Sequence, residues 1–145
     1  MGPTGPAWYT GISDRSSPVQ IPGTTWNYIS GSYFGASGIK TDGTLWIWGR
    51  NSKGELGQNN TTNYSSPVQI PGTTWNKVLM NHSAAIATKT DGTLWSWGYN
   101  YLGSLMINSQ VNYSSPVQIP GTDWVTSENA LTRAGTYSFA VLKNS

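Results

Sequence analysis

The residues of this sequence that could carry acid–base or nucleophilic chemistry are few, and they lack a recognised catalytic pattern. The only histidine, His82, stands directly before Ser83, and Asp91 lies in the motif that follows. A Ser-His-Asp arrangement can be drawn from these three residues, but no nucleophile elbow or base-orienting motif accompanies them. We therefore interpret His82 as a surface or loop histidine and expect no catalytic residue.

The carboxylates offer no better candidate for general acid–base chemistry. Asp42 and Asp91 occupy the same place in two copies of the motif TDGT, so the geometry of a turn accounts for both. The other carboxylates lie far apart in the sequence, and nothing marks two of them as an acid–base couple. They are Asp14, Glu55, Asp123 and Glu128.

The sequence also gives little support to a metal or cofactor site. It has no cysteine, a single histidine and no oxygen-rich loop, so metal ligands are not gathered in any segment. The glycines of GRNSKGELG lack the Lys-Ser/Thr ending and the strand–helix context of a phosphate loop. We expect no metal site and no cofactor.

Composition excludes further classes of partner. Eight Lys and Arg stand against six Asp and Glu, for a net charge of +2, and the basic residues are scattered. Nucleic-acid binding normally needs clustered positive charge, so it is not expected.

No apolar run approaches the length of a membrane span, and residues 1–15 lack the layout of a signal peptide. A surface rich in Ser, Thr, Asn and Gly favours a virion-associated or extracellular β-protein.

The organisation of the chain follows from a repeat. SSPVQIPGTTW starts at Ser16 and at Ser65 and returns as SSPVQIPGTDW at Ser114, 49 residues apart each time. A fixed period of this length indicates a repeat architecture. We divide the chain into a Gly/Pro leader with a first partial strand (1–15) and a repeat region (16–145). The units of that region start near residues 16, 65 and 114, and the last is truncated.

Within one unit, the patterns are those of strands and turns. GTLWIWG alternates side chains over too few residues for a helix, and the Asp-Gly before it predicts a two-residue hairpin turn with positive φ at both positions. The segments 37–40 and 86–89 are the expected partner strands. SPVQIPG, with two prolines, predicts a short edge strand, and the Trp that follows it starts another strand. About four short strands per unit predict an all-β fold of β-propeller blades; a β-solenoid is the alternative.

A longer pattern resembles a known repeat family. KTDGTLWIWGRNSKGELG begins at Lys40 and KTDGTLWSWGYNYLGSLM at Lys89, each placed between two copies of SSPVQIPG. This arrangement resembles the RCC1-like repeat (regulator of chromosome condensation type) in its bacterial and phage form. The resemblance implies a β-propeller, seven-bladed in the best-known members, that binds other macromolecules.

The sequence departs from the family pattern in several places. Gly35 and Ala84 stand where the family often has His, Met106 stands where the first copy has Gly57, and the third unit is longer before it stops. The inserted elements through which the eukaryotic member exchanges nucleotide on a small GTPase and binds chromatin are not found. That activity is therefore not expected.

About three blades cannot close a ring, so the sequence predicts an incomplete ring in one chain. Three explanations remain open: a fragment of a longer propeller, copies that associate to complete a ring, or ends capped in a larger assembly. The leader GPTGPA carries two Gly-X-Y triplets, interpreted as a disordered or proline-stiffened segment. Collagen-like stalks joined to RCC1-like repeats resemble appendage proteins of large phages and marine microbes, which favours a virion or cell-surface setting.

Candidate binding residues are sought where the repeats differ. The matched tryptophans of LWxW are interpreted as blade packing, whereas positions that are free to differ are available for recognition, and aromatic residues and Arg are enriched at interface hot spots. The candidates for partner binding are Tyr33, Phe34, Arg50, His82, Tyr99 and Tyr101.

We expect a non-enzymatic structural or protein-interaction module, part of a larger assembly such as a virion or cell-surface appendage, whose partners are proteins or copies of itself. The alternative is a carbohydrate- or receptor-binding adhesion module, for which an exposed aromatic beside a polar side chain, such as Tyr99–Asn100, would hold a surface glycan. A propeller enzyme is a third reading.

Overall fold

The computed structural model describes residues 20–33, 35–124, 131–133 and 137–142. The predicted leader and the candidate Phe34 lie outside these residues. Within them the chain forms ten strands: β1 (Trp26–Gly31), β2 (Gly35–Lys40), β3 (Leu45–Gly49), β4 (Tyr64–Ile70), β5 (Trp75–Met80), β6 (Ala84–Lys89), β7 (Leu94–Gly98), β8 (Tyr113–Ile119), β9 (Leu131–Arg133) and β10 (Phe139–Val141). A single 3-10 turn, Tyr101–Gly103, is the only helical element of this part of the chain, and no helix there is long and apolar enough to cross a membrane.

The strands form successive antiparallel sheets. Strands β1 to β4 pair in chain order in one four-stranded sheet, β5 to β8 do the same in a second, and β9 pairs with β10. Each four-stranded sheet is one blade, so the prediction of all-β blades in an incomplete ring is confirmed. The predicted edge position of SSPVQI is confirmed too, because β4 and β8 are the last strands of their sheets and tolerate Pro67 and Pro116 there.

The predicted turn type is wrong. Gly43 has a φ of 83°, but Asp42 is not among the residues with positive φ. Lys40 and Gly43 are joined by a backbone hydrogen bond from Gly43 N to Lys40 O, and Lys40 N donates to Thr44 O, which closes a three-residue loop. The carboxylate of Asp42 accepts bonds from the backbone N and the hydroxyl of Thr44, so this side chain stabilises the turn while only the glycine needs the left-handed conformation.

The same turn anchors the next blade. The carbonyl of Gly43 accepts a bond from the backbone N of Trp75, the first residue of β5, and Gly92 binds Trp124 in the same way. A Cβ at position 43 would collide with the carbonyl of Thr73. The Asp-Gly turn of each blade therefore fixes the start of the following one.

The core lies between the sheets. Strand β5 packs against β1 and β2 on one side and against β9 on the other. The buried cluster between the first two sheets consists of Ile39, Leu45, Ile47, Leu56, Ile70, Trp75, Val78, Met80, Ala85, Ala87 and Trp97. A second cluster between the second sheet and the β9–β10 pair includes Leu94, Leu105, Ile119, Leu131 and Phe139.

Trp97 forms the joint between the first two blades. Its side chain is 0% exposed, its ring packs edge-on against Trp75, and its Nε1 donates to the carbonyl of Glu55 in the β3–β4 loop at 2.9 Å. A Cβ at Gly57 would lie 3.1 Å from the same Nε1, so glycine lets this loop approach the indole closely. One loop of the first blade thus holds a tryptophan of the second.

A buried asparagine organises each β3–β4-type loop. The Nδ2 of Asn100 donates to the carbonyls of Ser109 and Val111, and its Oδ1 accepts from the backbone N of Leu105. Asn51, at the matched position of the first blade, makes the same kinds of bonds to its own loop. These bonds satisfy backbone groups that the irregular loops would otherwise leave unpaired.

Candidate functional site

The strands place the two kinds of connection at opposite ends of the blades. The short turns after β2 and β6, which contain Asp42 and Asp91, lie at one end. The β1–β2, β5–β6 and β9–β10 connections lie at the other end together with the longer β3–β4 and β7–β8 loops. We call this second end the loop face, and define it by the described residues 32–33, 50–63, 81–83, 99–112 and 137–138.

An aromatic row crosses the loop face. The ring of Tyr33 stacks on His82 with centroids 6.1 Å apart, and His82 meets Tyr137 edge-on at 5.3 Å. Tyr137 in turn contacts Tyr99 at 5.8 Å and Tyr101 at 5.3 Å. The structure therefore brings four of the candidate residues into one continuous row.

The row is composed from equivalent places in three successive units. Tyr33, His82 and Tyr137 lie in the β1–β2, β5–β6 and β9–β10 connections, which are the same connection in each unit. Tyr33 is 80% exposed and Tyr101 47% exposed, while the other rings of the row are half-buried. No single repeat contains this surface, because the second unit contributes three of its rings and the first and third contribute one each.

Tyr137 was not among the candidates from the sequence. Its unit is longer than the others, so it has no fixed partner position in a comparison at constant spacing. The signal that could have revealed it is its place two residues before the strand FAV, which corresponds to the place of His82 two residues before β6.

Arg50 forms hydrogen bonds with the loop that carries His82. Its Nη2 lies 2.9 Å from the hydroxyl of Ser83 and 3.5 Å from the carbonyl of His82, and its Nε lies 3.3 Å from Oε2 of Glu55. The Arg50 side chain is 21% exposed and the Glu55 side chain 4%. These contacts tie the β3–β4 loop of one blade to the β5–β6 loop of the next, and so fix the loop that carries His82.

A second basic side chain extends the row. The Nζ of Lys53 lies 5.1 Å from the ring centroid of Tyr99, and the backbone N of Lys53 donates to Oε1 of Glu55. The Lys53 side chain is exposed. The loop face thus combines aromatic rings, tyrosine hydroxyls and cationic groups, a composition typical of recognition surfaces.

Burial shifts the pKa of Glu55, which lies beneath this surface. The pKa of the Glu55 carboxyl is raised above its usual value of 4.5 because burial disfavours the charged form. The backbone N–H groups of Glu55 and Lys53 and the guanidinium of Arg50 oppose that effect. The pKa values of Asp42 and Asp91, in contrast, are lowered by the hydroxyl and backbone bonds from Thr44 and Thr93.

Replacing Glu55 with Gln is expected to change the pH dependence of stability. The folded protein holds the Glu55 proton more tightly than the unfolded chain, so this group's contribution is present below pH 4.5 and is lost as the pH rises through the raised pKa. Because Gln cannot ionise, the stability of Glu55→Gln relative to wild type should increase from pH 4.5 to neutral. Denaturant midpoints of both proteins across this range measure the difference.

Both proteins in this comparison keep Asp42 and Asp91, whose lowered pKa values affect stability in the opposite direction and below 3.8. The two pH windows are therefore separate. A constant difference between the midpoints of Glu55→Gln and wild type would contradict the linkage of Glu55 to folding.

The described residues do not form the arrangements that a catalytic triad or a glycan site at Tyr99–Asn100 would need. Asp91 lies across the length of β6 from His82 and accepts bonds from the backbone N and hydroxyl of Thr93, while the hydroxyl of Ser83 contacts both the imidazole and Arg50. Asn100 is 1% exposed and bound to its own loop, so its amide does not flank Tyr99 as a ligand. In the described residues, no group of three or more His, Asp or Glu could hold a metal ion.

A groove of about 360 Å³ lies at the opposite end of the first blade. There the Nζ of Lys40 lies over the rings of Trp26 and Trp46, at 5.2 and 4.4 Å from their centroids. Lys89 makes the same contacts with Trp75 and Trp95 in the second blade. Since the arrangement repeats, it belongs to the scaffold, and the loop face remains the candidate site.

Solved structures similar to this chain share its fold. The crystal structure of human WBSCR16 matches with a TM-score of 0.68 and 18% identity, over 80% of this chain and 33% of that one. The crystal structure of Prp20p from Saccharomyces cerevisiae, described with its binding properties to Gsp1p and histones, matches with a TM-score of 0.64 and 17% identity, over 73% of this chain and 29% of that one. Yeast RCC1 (Prp20) bound to Kap60 gives the same TM-score and identity, over 73% of this chain and 28% of that one. The chain spans about a third of the length of these structures.

Sequence comparison gives a shorter match. No curated protein sequence matches the chain. Residues 42–85 match the model of the Regulator of chromosome condensation (RCC1) repeat, from the Asp-Gly turn of the first blade to the start of β6. Residues 42–85 are therefore similar to an RCC1 repeat, and the described strands share the propeller-blade fold of RCC1-like structures.

Proposed function

We propose that this chain is a non-enzymatic protein-interaction module whose loop face recognises a protein partner. The observation that carries the proposal is the aromatic row, which is assembled from three successive units and lies at one end of the blades. Exposed tyrosines give large contact areas at a low cost in conformational entropy, and they are frequent hot spots of protein interfaces.

The hydrogen bonds beneath the row favour a role in recognition over unconstrained sequence variation in the loops. Arg50 binds the hydroxyl of Ser83 and the carbonyl of His82, and the Oδ1 of Asn81 accepts from the backbone N of Ser83 and of Ala84. The loop that carries His82 is therefore held in one conformation before any partner arrives, which lowers the entropic cost of binding. We infer that Arg50 acts mainly by positioning this loop, while Tyr33, His82, Tyr99 and Tyr101 make the contacts. Phe34, next to Tyr33 in sequence, stays a candidate from the sequence alone.

The partners are proteins or further copies of this chain. Two of the similar structures belong to a yeast protein described with Gsp1p, histones and Kap60, so protein binding by this fold has precedent. In the described residues, two four-stranded blades and one two-stranded sheet do not close a ring, which supports the proposed role within a larger assembly. A bacterial or phage origin and a virion or cell-surface appendage form the setting we propose, and they rest on the repeat pattern, the polar composition and the Gly-X-Y leader.

Loss of the exposed rings is expected to weaken binding without unfolding the protein. Peptides selected on the wild-type chain from a random display library should bind the double variant Tyr33→Ala/Tyr101→Ala at least about thirtyfold more weakly, since truncating a hot-spot tyrosine costs about 2 kcal/mol or more. Fluorescence polarisation of the selected peptides measures the affinities.

Val111→Ala is the matched control, because Val111 is exposed but does not belong to the row. It should leave every affinity unchanged. Selected peptides that bind the double variant as tightly as the wild type would contradict the proposal, provided that the circular dichroism spectra of the two proteins agree.

A further inference from the structure

The charged side chains exposed on the loop face are positive. Of the charged side chains described there, Lys53 is exposed and Arg50 is partly exposed, while the one carboxylate, Glu55, is buried. Both oxygens of Glu55 are already engaged, Oε1 by the backbone N of Lys53 and Oε2 by the Nε of Arg50. The surface presented to a partner is therefore positive.

The other described carboxylates lie elsewhere. Asp42 and Asp91 belong to the short turns at the opposite end of the blades, and Asp123 precedes Trp124 at that same end. These three carboxylates are thus separated from the aromatic row by the length of the strands, although the chain as a whole carries a net charge of only +2. A partner that approaches the loop face meets rings and cationic side chains, while the one described carboxylate of this face, Glu55, is buried.

The exposed lysine lies at one end of the row. Lys53 lies over Tyr99, which contacts Tyr101 at 5.7 Å, while Tyr33 lies at the far end beyond His82. The successive ring-to-ring steps of 5.3 to 6.1 Å are somewhat shorter than the span of two residues of an extended chain, about 6.2–6.6 Å at 3.1–3.3 Å per residue. Such a row can receive alternate side chains of one extended segment.

We propose that the loop face binds an extended acidic segment of a protein partner. Its carboxylates lie against Lys53 and the exposed edge of Arg50, and its proline or aromatic side chains lie along the rings from Tyr101 to Tyr33. Charge complementarity selects this occupant, because ion pairing at a partly exposed site steers association and fixes orientation. The inference rests on the proposed function and names the class of partner.

A nucleic acid fits the same rings less well. Stacking platforms for single strands combine aromatic rings with a groove of several cations that follows the backbone. The described loop face offers one exposed lysine and one arginine that is tied to Glu55, Ser83 and His82. Since nucleic-acid affinity grows with each phosphate neutralised, two cations give little of it.

The test uses three synthetic peptides of about eight residues, long enough in extended form to cover the row. They share their proline and phenylalanine positions and differ only in carrying Asp, Asn or Lys between them. At low salt, the Asp peptide is expected to bind the wild-type chain about tenfold more tightly than the Asn peptide, and the Lys peptide should bind most weakly. The preference should shrink as salt is raised, because exposed charges are screened.

Lys53→Glu is expected to remove the preference for the Asp peptide. Lys77→Glu is the matched control, because the Nζ of Lys77 lies over the ring of Tyr28 in a similar contact on β5, away from the loop face. It should keep the preference. An oligothymidine of similar length, tested at the same salt concentrations, should bind more weakly than the Asp peptide.

The outcomes separate this inference from the proposed function. Equal affinity for the Asp and Asn peptides, an unchanged preference in Lys53→Glu, or tighter binding of the oligothymidine would overturn the acidic partner. If library-selected peptides still depend on Tyr33 and Tyr101 in that case, the interaction module stands and only its partner class is wrong. If binding is independent of both tyrosines, the proposed function itself fails.

Discussion

Replacing Trp97 with alanine is expected to destabilise the fold by about 3–5 kcal/mol, the range for truncating a large buried aromatic side chain. Trp97 is fully buried in the core between the first two blades and donates to the carbonyl of Glu55. Its loss leaves a cavity against Trp75 and an unpaired carbonyl in the β3–β4 loop. Equilibrium unfolding in denaturant, followed by far-UV circular dichroism, measures the change.

Trp48 is the internal control for this substitution. It holds the matched position in the first blade, but its side chain is half-buried and contacts Trp26 at 6.1 Å. Because less apolar surface is lost, Trp48→Ala should cost less than half as much as Trp97→Ala. Equal losses at the two positions would show that burial between blades is not what makes Trp97 important.

Replacing Asn100 with alanine is expected to cost about 2–4 kcal/mol. The substitution removes the bonds to the carbonyls of Ser109 and Val111 and to the backbone N of Leu105, all in a buried site. Leaving buried backbone groups unpaired costs about 1–3 kcal/mol each, partly recovered where water enters. Thermal or denaturant unfolding detects a loss of this size.

Two further variants of the same loop sharpen the test. Asn100→Asp keeps the acceptor for Leu105 but loses both donated bonds, so it should also destabilise the protein at neutral pH. Gln110→Ala removes an exposed side chain and should change stability by no more than about 0.5 kcal/mol. If Asn100→Ala behaved like Gln110→Ala, the buried amide would have no structural role.

The fold could be predicted from the sequence because the scaffold residues repeat. Each SSPVQI must lie at an edge since proline cannot donate to a sheet, and the LWxW motif alternates as a half-buried strand must. Because these local rules act in the same way in each blade, the 49-residue period predicts a repeat architecture. The turn type was missed because the Asp42 carboxylate, which accepts from Thr44, satisfies the turn without a positive φ at Asp42.

The candidate site was only partly predictable. Comparing the repeats selected Tyr33, His82, Tyr99 and Tyr101, because positions not needed for packing are free to differ. The same comparison could not show that Arg50 is tied to the next blade, nor that Tyr137 of a longer unit completes the row. Both facts depend on how neighbouring blades are stacked, and a pattern within one unit does not contain that information.

The contact between the first two blades joins an earlier and a later part of the chain. The carbonyl of Glu55 and the close approach at Gly57 belong to the earlier blade, and the indole of Trp97 that they receive lies 42 residues later than Glu55. During translation, the receiving surface therefore leaves the ribosome before the side chain that fills it. Each blade can act as a template for the next, so this chain is suited to fold in the order in which it is synthesised.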